Sequence, residues 1–178
     1  MSLLARVSET LRAAGVPYAL IGASAMTIHG VNRSTIDVDL FVLDPACLDR
    51  HLWDSLAAEG VSVEVRRGDP DDPLAGVVRL ETPPELPLDV VVGKYVWQRK
   101  TIERARTAVF AGVEVPVLTG VDLILLKLYA GGPQDAWDIQ QILAGPEHES
   151  LIAGVERELS ALPKDCARLW RRILDPTP

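Results

Sequence analysis

The apolar positions change period several times along the chain. Leu3, Leu4, Val7 and Leu11 recur at helical spacing, so residues 2–14 predict an amphipathic helix with Ser2 as its cap and Gly15 as its stop. Pro17 opens a short apolar run, Tyr18 to Ile21, which predicts a buried strand. A small-residue turn, Gly22-Ala23-Ser24, then leads into a short helix ending at Gly30. From Thr35 to Leu43 the period falls to two. Ile36, Val38, Leu40 and Val42 point one way, and Asp37, Asp39 and Phe41 the other, which predicts a strand with two carboxylates on one face.

Pro45 to Glu59 predicts an amphipathic helix stopped by Gly60. Val61–Val65, Val77–Glu81 and Leu86–Val92 predict three more strands. The turn-rich loop Arg67–Pro73 separates the first two, and Pro83-Pro84 the last two. Lys94 to Arg106 predicts a helix, and Val109-Phe110 with Val113–Leu118 a hairpin across Ala111-Gly112. Thereafter the pattern is helical. Thr119 and Asp122 make a capping box ahead of Leu123, Leu126 and Leu128. Gly131-Gly132 ends that helix, Pro133 opens another running to about Leu143, and two more follow over roughly 147–161 and 163–174. The sum is an α/β (α+β) layout: a mixed sheet flanked by helices over 1–118, and a helical C-terminal region over 119–178 packed on it. The two parts form either one body or two lobes with a cleft between them.

Composition narrows the class. The chain has 178 residues, enough for one domain, or one plus a small appendage. Apolar residues make up 48% and charged residues 24%, ordinary globular usage that excludes disorder for the whole chain. A net charge of −7 argues against whole-surface binding to nucleic acid. Cys47 and Cys166 are the only cysteines, too few for a disulfide framework or a four-thiolate zinc site. The N-terminus lacks the continuous apolar core of a signal peptide, and no apolar run is long enough to span a membrane. These features predict a reduced, cytoplasmic protein with no membrane partner.

Chemistry concentrates at Asp37-Val38-Asp39. Strand alternation sets two carboxylates within reach of one or two hard cations, and Mg²⁺ is commonly held by a few carboxylates plus substrate phosphates. Two such metals clamp the attacking and leaving oxygens of a phosphoryl displacement. Asp89 is the candidate third acid, a charge in the middle of the apolar run Leu86–Val92. The plainer readings are a solvated strand face for the pair and an arginine partner for Asp89. Gly22, Ala23 and Ser24 follow a predicted strand and open a helix, where backbone N–H groups and a hydroxyl can hold phosphate oxygens. Alone, that is also a tight turn. The order of strand, small-residue turn, short helix and acid-bearing strand brings the two features together.

At these residues a resemblance emerges. LIGASAMTIHG at 20–30 and RSTIDVDL at 33–40 resemble the signature of small bacterial nucleotidyltransferases of the DNA polymerase β superfamily, closest to the AbiEii-like and MenT-like group that includes type IV toxins. LKLYAGGPQDAWDI at 126–139 is similar to that group's later lysine and acidic-helix motifs, and the likeness spans most of the chain. It implies a nucleotidyltransferase-type mixed sheet and transfer of a nucleoside monophosphate from an NTP. The acceptor would be an RNA end, a protein or a small molecule, and a toxin-type member would be checked by an antitoxin protein. By position, Gly22 and Ser24 would hold the triphosphate, Asp37 and Asp39 would bind Mg²⁺, Asp89 would complete the site, and Lys127 would neutralise phosphate. Two positions depart from the pattern: Ala23 stands where Gly or Ser is usual, and Gln134 where a Lys or Arg is frequent. The alternative is an inactive nucleotide- or partner-binding module with the same fold.

Other residues read two ways. Lys127 either snorkels among leucines or faces the cleft. Asp135 suits a helix start, while Asp138, three residues on, is placed to orient Lys127 or a nucleobase. Arg33 contacts phosphate or bridges to an acid. His29 reads as a packed, hydrogen-bonded residue. Lys94–Arg106 carries net +4 together with Tyr95 and Trp97, and Arg168, Arg171 and Arg172 flank Trp170. Each is either an RNA-contacting surface or a solvated helix.

Overall fold

A computed structural model describes residues 1–34 and 36–175. Helix α1 spans Leu3–Ala13, with Ser2 accepting from the Ala5 N–H at its start. Strand β1 (Tyr18–Ile21) runs directly into helix α2 (Gly22–Ile28). Strand β2 covers Val38–Val42, so Asp37 precedes it rather than lying within it. The predicted start of that strand, Thr35, lies outside the described residues.

The segment predicted as one helix over 45–59 is instead two 3-10 turns, Pro45–Leu48 and Arg50–Trp53, followed by the short helix α3 (Asp54–Ala58). The side chains of Asp44 and Asp49 accept from the N–H two residues on, and these local bonds restart the chain twice. Strands β3 (Ser62–Arg67), β4 (Gly76–Glu81) and β5 (Leu88–Val92) follow. The predicted helix 94–106 shrinks to α4 (Gln98–Glu103), because Arg106 already belongs to the hairpin of β6 (Arg106–Phe110) and β7 (Val113–Val117). That hairpin turns on Ala111 and Gly112, with φ of 49° and 76°. Helices α5 (Gly120–Ala130), α6 (Pro133–Leu143), α7 (His148–Glu158) and α8 (Lys164–Leu174) complete the chain. The predicted 147–161 helix ends in a separate 3-10 turn at Leu159–Ala161. Among the described residues, no helix is long and apolar enough to cross a membrane.

The strands form one mixed seven-stranded sheet in the order β3-β4-β5-β2-β1-β7-β6. β2/β5 and β1/β7 are parallel pairs, and the other neighbours are antiparallel. The register separates the two faces. Leu20, Leu40, Val90 and Val78 stand in line across four strands and are fully buried. Leu3, Val7 and Leu11 of α1, with Leu48, Trp53 and Leu56 of the 45–58 segment, belong to the same core. The next positions along the strands point to the opposite face. There the row reads Ile21, Asp39, Asp89, Arg79, Glu64.

Candidate active site

Sheet register creates the site. Asp39 on β2 is the Cα partner of Asp89 on β5, so two acids 50 residues apart in sequence become neighbours on one face. On its other flank Asp39 pairs with Ile21, the residue before Gly22. Gly22 takes φ of +65°, and a Cβ there would come within 2.1 Å of the Asp39 Oδ2. The small-residue turn and the acid strand are therefore in direct contact, and only a residue without a side chain fits between them.

The electrostatics reflect the crowding. Burial first, then the charges of Asp37 and Asp89, push the Asp39 carboxyl up to about 6, against the pull of Lys127 and Arg79. Burial and the Asp37 charge also raise Asp89, although Arg79 pulls it down. Arg79 Nη1 lies 3.0 Å from Asp89 Oδ2 and 3.3 Å from Oδ1. This is the arginine partner weighed for Asp89, and it comes from the facing position of β4. Arg79 also holds Glu81 at 2.7 Å. Its signal in the sequence was a charge inside the alternating run Val77–Glu81, the same kind of signal that singled out Asp89.

A second cluster stands beside the first. Asp138 of α6 is fully buried and gathers Lys127, Arg33 and the Gln134 amide. Burial alone would raise its carboxyl, but the hydrogen bond and charge of Lys127, with Gln134 and Arg33, hold it below the ordinary carboxylate value. Lys127 also lies 3.3 Å from Asp135, whose other oxygen caps the Gly132 N–H at 3.1 Å. Arg33 bridges to the acid Asp138, and the Gln134 amide donates to the same carboxylate. Ser24 is fully buried, its hydroxyl has no hydrogen-bond partner among the described residues, and it does not line the cleft.

A cleft of about 270 Å³ takes in Gly22 and Asp39 of the first cluster and Lys127 and Asp135 of the second. Ile21, Gly22, Asp39, Lys127 and Asp135 line it together with Phe41, Val91, Leu126, Tyr129 and the loop residues Pro73 and Leu74. Among the described residues, no group of three or more His, Cys, Asp and Glu side chains converges as a metal cage. The donor set nevertheless suits a hard cation that takes the rest of its shell from phosphates and water: adjacent carboxylates, with Asp39 raised by burial and then by its acidic neighbours, beside a glycine turn.

Two cations of the basic stretch are engaged within the chain. Lys94 Nζ donates to the Pro70 carbonyl at 2.8 Å, and Arg104 pairs with Asp122 at 2.5 Å and Glu158 at 3.0 Å. Trp97 and Tyr95 pack edge-on against Tyr129. Trp170 is buried, so the tail arginines flank no stacking surface. His29 bonds the Leu118 carbonyl at 2.7 Å, as a packed histidine would.

With this geometry in view, the sequence comparison is decisive: a family model described as nucleotidyl transferase of unknown function (DUF2204) matches residues 1–165. The chain belongs to that nucleotidyl transferase family. No curated protein matches it in sequence. Solved structures agree on the fold. The antibiotic-resistance factor ANT(2'')-Ia, in complex with adenylyl-2''-tobramycin, aligns with a TM-score of 0.57 at 15% identity, covering 89% of this chain and 96% of that one. A Thermotoga maritima protein described as a nucleotidyltransferase aligns with a TM-score of 0.52 at 15% identity, covering 80% and 91%. The seven-stranded mixed sheet with its flanking helices is thus a nucleotidyltransferase fold.

Proposed function

We propose that the protein is a metal-dependent nucleotidyltransferase that moves a nucleoside monophosphate from an NTP to an acceptor hydroxyl and releases pyrophosphate. One observation carries the reading: Asp39 lies against Gly22, beside Asp89 and in the same cleft as Lys127. Asp37 and Asp39 would hold Mg²⁺, which when bound offsets phosphate charge and orients the NTP. The N–H groups of the Gly22-Ala23-Ser24 turn receive the outer phosphates. Lys127, held in place by Asp138 with Arg33 beside it, adds positive charge to the triphosphate. Asp89 takes the proton of the acceptor hydroxyl; its raised carboxyl is displaced in the direction a general base requires. Catalysis is then chiefly positioning and charge neutralisation.

The finer assignment follows the motif resemblance. The protein acts in the cytoplasm as an AbiEii/MenT-like enzyme, on an RNA end, a protein or a small molecule, and in a toxin-type role an antitoxin protein restrains it. A second reading, a nucleotide-binding module without turnover, is favoured by the Arg79–Asp89 pair and by the capture of Lys127 between Asp135 and Asp138.

The test is incubation with each α-labelled NTP, Mg²⁺ and a cell extract supplying acceptors, beside an Asp37→Ala/Asp39→Ala double variant. Label that moves only with the intact acids supports the transferase and names the acceptor class. Thermal stabilisation by NTP without transfer supports the binding module. Transfer at equal rates in both proteins sinks the assignment. Growth arrest on expression, relieved by Asp39→Ala, would mark the toxin role.

A further inference from the structure

One part of the cleft wall is a loop with little to hold it. Residues 68–75 connect β3 to β4, and Pro73 and Leu74 line the cleft together with Phe41, Leu126 and Tyr129. The loop closes on itself: the Gly68 N–H donates to the Ala75 carbonyl at 2.9 Å, and the Asp69 N–H to the Asp72 side chain at 2.6 Å. Among the described residues, the hydrogen bonds that tie residues 69–74 to the rest of the chain all come from Lys94. Its Nζ donates to the Pro70 carbonyl at 2.8 Å and reaches the Asp69 carbonyl at 3.4 Å. The loop carries Asp69, Asp71 and Asp72, so its charge favours a cation as the tie.

Lys94 is exposed, but its backbone is fixed from behind. The Lys94 and Tyr95 N–H groups donate to the Gln98 Oε1 at 3.0 Å and 2.9 Å. The ammonium stands 5.8 Å from the centroid of the Tyr95 ring. Tyr95 and Trp97 in turn pack edge-on against Tyr129, with centroids 5.2 Å and 5.5 Å away. The 94–98 segment thus meets the cleft wall in two places: its rings back Tyr129, and its first lysine ties the loop.

We propose that Lys94 is a positioning residue for NTP binding: it holds the 69–74 loop so that Pro73 and Leu74 stand in place as part of the wall that receives the base and sugar. This rests on the reading that the cleft binds an NTP. Lys94 does not line the cleft, so it acts through the loop and not on the phosphates. The phosphate-binding candidates, Gly22, Asp39 and Lys127, belong to other elements. A loop without a tie samples many conformations, and a ligand that uses its wall must order it on binding, at a cost subtracted from affinity. A tie made beforehand removes that cost, and it does so for the nucleoside part of the ligand alone.

The test is equilibrium binding of ATP, GTP, CTP, UTP and inorganic tripolyphosphate to the full chain, each with Mg²⁺ and no acceptor. Calorimetry compares the wild type, Lys94→Met, Leu74→Ala and the double variant. Tripolyphosphate carries the anionic part of the ligand and no nucleoside. The Lys94 side chain is exposed and Leu74 half-buried, so the variants fold. Lys94→Met weakens the best-bound NTP by about three- to tenfold and leaves tripolyphosphate unchanged. Leu74→Ala weakens the NTP in the same way, and adding Lys94→Met to it costs little more, because the tie then holds a wall already trimmed. Equal weakening of NTP and tripolyphosphate in Lys94→Met would show a direct phosphate contact and overturn the proposal. Unchanged NTP affinity, or fully additive losses in the double variant, would overturn it as well, while leaving an NTP-binding cleft. Failure of the wild type to bind any NTP overturns the nucleotidyltransferase reading itself, and this inference with it.

Discussion

The backbone of Gly22 packs so closely against Asp39 that a Cβ would stand 2.1 Å from its Oδ2 and 3.0 Å from its Cγ. Gly22→Ala must therefore move the carboxylate or the turn, and it also strains a backbone at φ of +65°. The expected cost is about 1–3 kcal/mol in urea unfolding. NTP binding falls at least about tenfold, since the turn and the acid shift together. A variant with wild-type affinity would show that the contact is packing alone.

Asp39 trades stability for its position. Its carboxyl titrates near 6 in the folded chain against an ordinary value of 3.8, so the folded state holds the extra proton between those values. Stability from this group is complete below about pH 4 and is lost as the pH rises through about 6. In metal-free protein near neutral pH, Asp39→Asn should raise stability by about 1–3 kcal/mol. Mg²⁺ should stabilise the wild type and not the variant, while transfer is abolished. Thermal melts with and without chelator, across that pH range, check the sign.

Arg79 lowers both Asp39 and Asp89. Arg79→Met should therefore move both carboxyls upward. If transfer needs them ionised, the acidic limb of the pH profile of kcat/KM shifts to higher pH. Stability changes by only about 0–1 kcal/mol, because the Arg79–Asp89 pair is partly exposed. An unshifted limb would remove Asp89 and Asp39 from the titrating set.

Lys127 and Arg33 share the buried Asp138. Lys127→Met leaves one cation on a carboxylate that has no exposure, which should cost about 2–4 kcal/mol. Adding Asp138→Asn should recover part of that loss, because the uncompensated charge is gone. The double variant should still bind NTP weakly, since the cation meant for phosphate is missing. Urea unfolding of the two single variants and the double variant forms the cycle.

Much of the fold was legible because it is written in local periods. The 3.6 spacing of Leu3, Val7 and Leu11 and the two-residue alternation at Val38–Val42 each need only neighbouring residues to be read. So do the Thr119 cap, where the Asp122 N–H donates to the hydroxyl at 3.2 Å, and the Ala111-Gly112 turn. The misread helices failed where short-range side-chain bonds override periodicity, as at Asp44 and Asp49, or where one segment ends a helix and begins a strand, as at Arg104–Arg106.

From sequence alone came the element order, the membership of Asp37, Asp39, Asp89, Gly22 and Lys127 in a candidate site, and a chemistry to test. Those conclusions rest on residue type, alternation and order, all properties of the chain read in one dimension. Tertiary structure decided who meets whom. It paired Asp39 with Asp89 by parallel register, gave Asp89 to Arg79, tied Arg33 to Asp138 across 105 residues, and fixed the Gln98 amide oxygen on the Lys94 and Tyr95 N–H groups. Register and burial are set by the packing of distant segments on a common core. The ionic and hydrogen-bonding state of each group follows from that packing and not from its neighbours in sequence.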